Sequence, residues 1–558
     1  MRQDSTSRRL IAVVMSALFA ATALSACGGG GGGAQRDPAQ PFVVVLDTRP
    51  DTFDPLDGLD ASSYRLQQIA YNALLRKNER FEYVGDLASD YQLAEDGRTV
   101  TFNLREGVTF HNGQPFTSAD AKYTLEFLLK SNKKKAAPFL MQAATRPAGG
   151  SAPPPGATTP GPAAAPQSYI ESVEAPDART LVVRLRQPWP QLLPNLVAVP
   201  VIPQGSGDAQ KTQPVGTGPF KYASHDEGQL TYDYTAFENY FQGAPAIKNL
   251  RLRTILDANT LQAELQSGRV DIAPGSSNLS PDVFKFMSRD AALKVEQFPG
   301  ANIQYLGFNV EQKPLDNVKV RQALAHAVDR EGLVRDLLLG QARVAHSVLP
   351  ESSWAFDAGQ KYSYDPARAA QLLDEAGFPD PDGDGPRMRF ERPLAFKIPS
   401  GNAATAQFVG VIQNSLKAVG VPASIETLET STLIPQLSQG QFEMTTLRWV
   451  GGNQDPVFLF DLFHSGEIPT PGRANVRNRS RYRNPQLDQI LSEALSTLDR
   501  ARAGELYARA QQIVSRDLPM LPLWYPDIMV IARRDVENIA LDPGGDFSFL
   551  KNVRIGGQ

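Results

Sequence analysis

The sequence predicts an α/β fold divided over two or three domains, and three observations carry that prediction. Strand-like and helix-like segments alternate from Phe42 onward. The chain has 558 residues, too many for one hydrophobic core. A hydrophobic content of 42% is that of an ordinary soluble globular protein. With 60 acidic against 56 basic side chains the net charge is −4, so no positive field marks a nucleic-acid partner.

A segment of another kind stands first. Arg2, Arg8 and Arg9 precede a short, mostly apolar run over residues 10–23, and small residues follow, which is the layout of an export signal spanning residues 1–26. The run is shorter than the roughly 20 residues a membrane-crossing helix needs. Leu24-Ser25-Ala26-Cys27 resembles the lipobox of bacterial lipoproteins, which implies cleavage before Cys27 and lipidation of its thiol. The six glycines at 28–33 open a flexible tether over residues 27–40. Arg8-Arg9 also permits twin-arginine export. Cys27 is the only cysteine, so disulfides cannot contribute and stability rests on core size.

The elements follow in order. Phe42-Val43-Val44-Val45-Leu46 is a continuous apolar run of strand length, as a strand covered on both faces requires. Val100, Phe102 and Leu104 alternate with polar residues, so that strand has one wet face. Thr117-Ser118-Ala119-Asp120 has capping-box form, and Leu125, Leu128 and Leu129 share a face of the helix it starts. Residues 147–168, PAGGSAPPPGATTPGPAAAPQS, hold almost nothing that could offset the entropy of ordering and predict a disordered surface insertion. Beyond it, YIESVEAPDARTLVVRLRQP predicts two strands joined by a turn at Pro176-Asp177. Val320, Ala323, Leu324, Ala327 and Val328 repeat at helical spacing, as do Ala369, Leu372, Leu373 and Ala376. The second of these helices has Asp365 as N-cap, Pro366 in its first turn and Gly377 just past its end.

Catalytic templates are largely absent. Five histidines (His111, His225, His326, His346, His464) show no metal-ligand spacing, and neither HExxH nor GxSxG occurs. Gly216-Thr217-Gly218-Pro219 lacks the lysine of a phosphate loop and reads as a tight turn before a strand. Asp380, Asp382, Asp384, Gly385 and Glu391 do match positions 1, 3, 5, 6 and 12 of a calcium-binding loop. The following MRFERPLAFKI looks like a strand, however, and Pro386 occupies a position whose carbonyl should be a ligand, so an acidic turn is the competing reading. No organic cofactor is expected; structural calcium at Asp380, Asp382, Asp384 and Glu391 is the one candidate.

Four blocks carry a family resemblance. They are LASDYQLAEDGRTVTFNLREGVTFHNGQPFTSADAKYTLEFL at 87–128, PVGTGPFKY at 214–222, YLGFNVEQKPLDNVKVRQALAHAVDREGLVRDLLLGQA at 305–342, and RWVGGNQDP at 448–456 with YRNPQLDQIL beyond. Together they resemble the extracytoplasmic solute-binding proteins that feed peptide-type ABC importers, bacterial family 5. The resemblance implies a periplasmic-binding-protein-like fold: two hinged α/β lobes plus an extra inserted domain, with lobe one at 41–75, 205–304 and 522–558, the extra domain at 76–204 and lobe two at 305–521.

It also implies function: no enzyme, but a monomeric, lipid-anchored receptor of the cell envelope and periplasmic space. The receptor captures short peptides in a closing cleft and passes them to ABC permease and ATPase subunits. Asp455, after Trp449, corresponds to an aspartate that takes the peptide α-ammonium, with Asn453 beside it. Tyr305 and Asn309 correspond to the cleft floor, Ala61 and Ser62 to a cleft loop, and Tyr525 with Trp524 to the second hinge crossing. Lys397 and Arg448 are candidates for the peptide carboxylate. The alternatives are another cargo (an oligosaccharide, an opine-like compound or a metal chelate), a sensory or chaperone role on the same fold, and a hydrolase with distant paired carboxylates.

Overall fold

Phe42–Leu46 runs inside a seven-stranded sheet, parallel to Asn249–Thr254 on one side and to Ile272–Pro274 on the other. Val44, Val45 and Leu46 are buried, which is why this strand reads as an unbroken apolar run. Outward from it the sheet adds Thr231–Ala236 and Phe220–Asp226 at one flank, and Ile528–Arg533 and Leu293–Phe298 at the other. The computed structural model describes residues 40–141, 167–380, 388–401, 403–451, 454–474 and 476–556. The lipobox, the tether, the insertion up to residue 166, Asp382, Asp384 and Asn453 lie outside the described residues.

A second, six-stranded sheet is built around Ile303–Phe308, every residue of which is buried. This strand pairs antiparallel with both Met444–Trp449 and Met520–Pro526. The two helices expected from periodicity pack on this sheet. Val318–Ala327 buries Val320, Ala323, Leu324 and Ala327, with Val328 just past its end. Pro366–Glu375 buries Ala369, Leu372 and Leu373, and the Asp365 side chain accepts the Arg368 N–H at 2.9 Å.

The segment between the first and second pieces of the seven-stranded sheet forms a four-stranded sheet in the order Ala88–Leu93, Thr99–Leu104, Thr180–Leu185, Ile170–Asp177. Val100, Phe102 and Leu104 point inward. The helix Ser118–Lys130 covers it from a formed capping box, Thr117 N–H to Asp120 Oδ2 at 2.9 Å. The turn is displaced from its expected place at Pro176-Asp177. Pro176 stays within an edge strand, at a register irregularity where a missing N–H costs nothing, and Asp177 Oδ1 instead accepts the N–H groups of Arg179 and Thr180. Within the first lobe, Gly218 lets the turn before Phe220–Asp226 pack against the end of the helix Ala61–Ala70: a Cβ there would lie 2.4 Å from the carbonyl carbon of Ala70.

The chain changes sheets twice, at residues 299–302 and at Asp527. Two expected boundaries therefore move. Residues 303–304 already belong to the second sheet, and residues 522–526 continue it, because strand pairing through Trp524 and Pro526 holds them there. The two crossings touch: a Cβ on Gly300 would meet the Pro526 carbonyl oxygen at 2.1 Å, so only glycine fits. Asp527 ties them, accepting from Gln297 Nε2 at 2.7 Å and from Arg343 Nε at 3.1 Å. Among the described residues no helix is long and apolar enough to cross a membrane.

Candidate functional site

A cavity of about 900 Å³ lies between the two large sheets. On the first-sheet side its wall comes from the helix Ala61–Ala70, the strand Leu75–Lys77, the loop after Pro274 and the loop at 541–546. On the second-sheet side it comes from the end of Met444–Trp449, the segment after it, Phe408 and Trp524. Asp60 caps the helix, accepting the Ser63 N–H at 2.8 Å, and so aims Tyr64, Arg65 and Gln68 inward.

The expected site residues divide over this wall. Ala61 lines the cavity, whereas Ser62 is buried behind it and donates to the Thr48 carbonyl at 2.8 Å. Arg448 lines it, but Trp449, the next residue on the strand, points to the opposite face. There Trp449 stacks on Tyr305 at 6.3 Å, meets Phe458 edge-on, and lies under the guanidinium groups of Arg477 and Arg479. Likewise Trp524 lines the cavity, edge-to-face with Phe408 at 5.0 Å, while Tyr525 is buried with its hydroxyl on the Ser347 carbonyl at 2.6 Å. Strand period decides both pairs, since successive side chains leave on opposite faces.

Tyr305 and Asn309 also lie off the cavity. Tyr305 is core, its hydroxyl pushed up to about 12 by burial. The Asn309 amide donates to the carbonyls of Gly440 and Phe442 at 2.9 and 3.0 Å, which makes it a brace between loops. Lys397 is spent away from the cavity, donating to Gln436 on the helix Thr430–Ser438 at 2.6 Å and facing Glu426 on the neighbouring strand at 3.6 Å. Of the calcium-loop residues, Asp380 and Glu391 are described; the strand Leu394–Pro399 follows them.

Asp455 sits at the seam between the second lobe and the inserted domain. One carboxylate oxygen accepts the Tyr83 hydroxyl and the other the Val457 N–H at 2.9 Å. Burial raises its carboxyl group, and Lys77 opposes that rise. Asp455 does not line the cavity, though its neighbour Gln454 does and rests against Gly544 across the cleft.

Several residues that motif reading missed shape the interior. Asp542 and Asp546 share one loop; burial and then the charge of Asp542 push Asp546 up to about 7. Lys77 is enclosed, held below its ordinary value by burial against the pull of Asp455, Asp546 and Asp542. Arg65 is committed to Asp47 at 2.7 Å. Arg448 makes no hydrogen bond or ion pair through its guanidinium among the described residues, and burial lowers it. The one sequence signal available for the loop was DPGGD, two carboxylates on a tight glycine turn.

Comparisons with known proteins agree over nearly the whole chain. The sequence model described as Bacterial extracellular solute-binding proteins, family 5 Middle, matches residues 82–469. The Dipeptide-binding protein of Escherichia coli (strain K12) is 27% identical over 533 residues, 93% of this chain and 95% of that one. Heme-binding protein A of Haemophilus influenzae is 28% identical over 513 residues, 86% of each chain. The crystal structure of NikA from Brucella suis in complex with Fe(III)-EDTA superimposes with a TM-score of 0.77 at 22% identity, covering 92% of this chain and 100% of that one.

Proposed function

Because this chain belongs to the bacterial extracellular solute-binding proteins of family 5, and is thus a binding protein and not an enzyme, we propose that its cargo is a short peptide. In this reading the protein is a lipid-anchored receptor of the cell envelope that delivers the peptide to an ABC permease and its ATPase. The observation that carries the reading is the cavity: it is large enough for an extended peptide, with the Arg448 guanidinium, unpaired among the described residues, in one wall and carboxylates in the other. A zwitterionic chain satisfies both. Closure follows by rotation about the crossings at 299–302 and Asp527, drawn toward the closed state by contacts the ligand makes with both walls.

Cargo varies among the relatives: one is named for dipeptides and another for heme, and a solved neighbour holds an iron chelate. A chelate is the second reading, favoured by nothing in the cavity beyond its volume. Native mass spectrometry of the protein lacking residues 1–33, followed by release and sequencing of what it carries, tests the peptide reading. A set of mixed-sequence peptides of narrow length is expected, and Arg448→Gln should carry less of it while binding C-terminally amidated peptides as the parent does. A chelate, a sugar or one metabolite would overturn the cargo and keep the transport role.

A further inference from the structure

The cleft holds more negative than positive charge at one end, in a form the Asp455 anchor does not explain. Three carboxylates, Asp455, Asp542 and Asp546, act on the Lys77 ammonium, which closes no hydrogen bond or ion pair among the described residues. Arg65, the other nearby cation, is bound to Asp47. Asp455 has its oxygens taken by Tyr83 and by the Val457 N–H, and it stands behind the cavity wall. Asp542 and Asp546 are in the wall. A separate observation points to a ligand at the same end: Ser276 is only 5% exposed, lines the cavity, and its hydroxyl has no hydrogen-bond partner among the described residues. Its loop and the 542–546 loop are joined through Ile528, which lies 3.5 Å from a Cβ placed on Gly275 and 3.4 Å from one placed on Gly545.

We propose that Asp542 and Asp546 form the cation-binding pole of this cleft, taking a primary ammonium of the cargo in the first lobe, while Lys77 serves as the resident counter-ion of Asp455. The proposal rests on the peptide reading and deepens it: the ligand lies with its ammonium on the first-lobe loop and a carboxylate on Arg448 of the second lobe, so each charge is met by a different lobe. A half-buried carboxylate pair in a cavity wall, close enough to raise its own proton affinity, favours a ligand that brings a positive charge. A bare metal ion is the poorer fit, because no group of three or more metal-ligating side chains occurs among the described residues. An arriving ammonium displaces the proton that Asp546 holds near neutrality. The charged and polar groups facing Asp546 are Asp542 on its own loop, Lys77 on the neighbouring strand, and Tyr64, Arg65 and Gln68 on the helix Ala61–Ala70.

The test uses a pool of random tripeptides with free amines and the same pool N-acetylated, with occupancy read by native mass spectrometry and proton uptake or release by pH-stat titration at pH 7. The parent protein should prefer the free-amine pool by at least about tenfold and release protons as it binds. Asp546→Asn and Asp542→Asn should lose the preference, and Asp546→Asn the proton release, whereas Asp455→Asn should retain both. Asparagine keeps the acceptor that closes the 542–546 turn, and melting curves confirm that each variant is folded. Loss of the preference in Asp455→Asn with retention in Asp546→Asn would overturn the proposal and leave a peptide receptor. Equal uptake of both pools by the parent would do the same. Uptake of neither would overturn the peptide reading and the proposal together.

Discussion

Adjacent side chains on one strand meet opposite environments at this cleft. Arg448 and Trp524 face the cavity; Trp449 and Tyr525, one residue along, are packed behind it. Motif resemblance locates a strand but is indifferent to its pleat, so it marked the buried partner of each pair as readily as the accessible one. Asp546 carries the clearest consequence at this scale. Its carboxyl is pushed up to about 7 from 3.8 by burial and by Asp542, so between those values the folded chain binds more protons than the unfolded one. Stability from this group is therefore present below the unfolded value and lost as pH rises toward 7. Denaturant midpoints should show Asp546→Asn more stable than the parent at pH 8, with the gap closing by pH 4; a pH-independent gap would mean the carboxyl is not strained by its surroundings.

Helices and strands with strong periodicity behaved as their patterns required. The helix Val318–Ala327 buries the face that the i, i+3, i+4 spacing marked, and Leu324 is fully enclosed in the second-lobe core. Leu324→Ala should lower unfolding free energy by about 2–5 kcal/mol in urea titrations, because it removes packed volume from the second-lobe core that also holds Leu306, Met444 and Trp524. A loss well under 1 kcal/mol would mean the site collapses around the cavity or was never tightly packed. The turn after Ile170–Asp177 escaped the sequence reading for a stated reason: Pro176 signals a turn by composition, but an edge strand tolerates it, and the carboxylate of Asp177 fixes the turn two residues on.

For the whole molecule, the two sheets, their two crossings and the inserted sheet make a cleft whose walls are far apart in sequence. Tyr83 on the inserted domain reaches Asp455, and Arg500 of the second lobe donates to Glu82 at 3.2 Å, so the inserted domain helps set how the lobes meet. Such an exposed ion pair contributes little energy by itself; the buried carboxylate contact is the more restrictive of the two. Anchoring is a property of the full chain. Expressed whole in a bacterial host, the protein should fractionate with membranes, and Cys27→Ala should move it to the soluble envelope fraction; a parent already soluble there would refute lipidation at Cys27.

What the sequence determined by itself was everything periodic or local: the apolar run of Phe42–Leu46, the capping box at Thr117, the helices beginning at Val318 and Pro366, and the family blocks in their order. These depend on spacings of two to four residues along one chain segment, and such spacings are written in the sequence. Only the tertiary structure decided which charges share the cleft. Lys77, Arg448 and the Asp542–Asp546 loop come from three stretches far apart in the sequence, and their meeting depends on which way each strand pleats and on where the two crossings turn. Electrostatic interaction depends on distance through space, and the fold alone sets that distance.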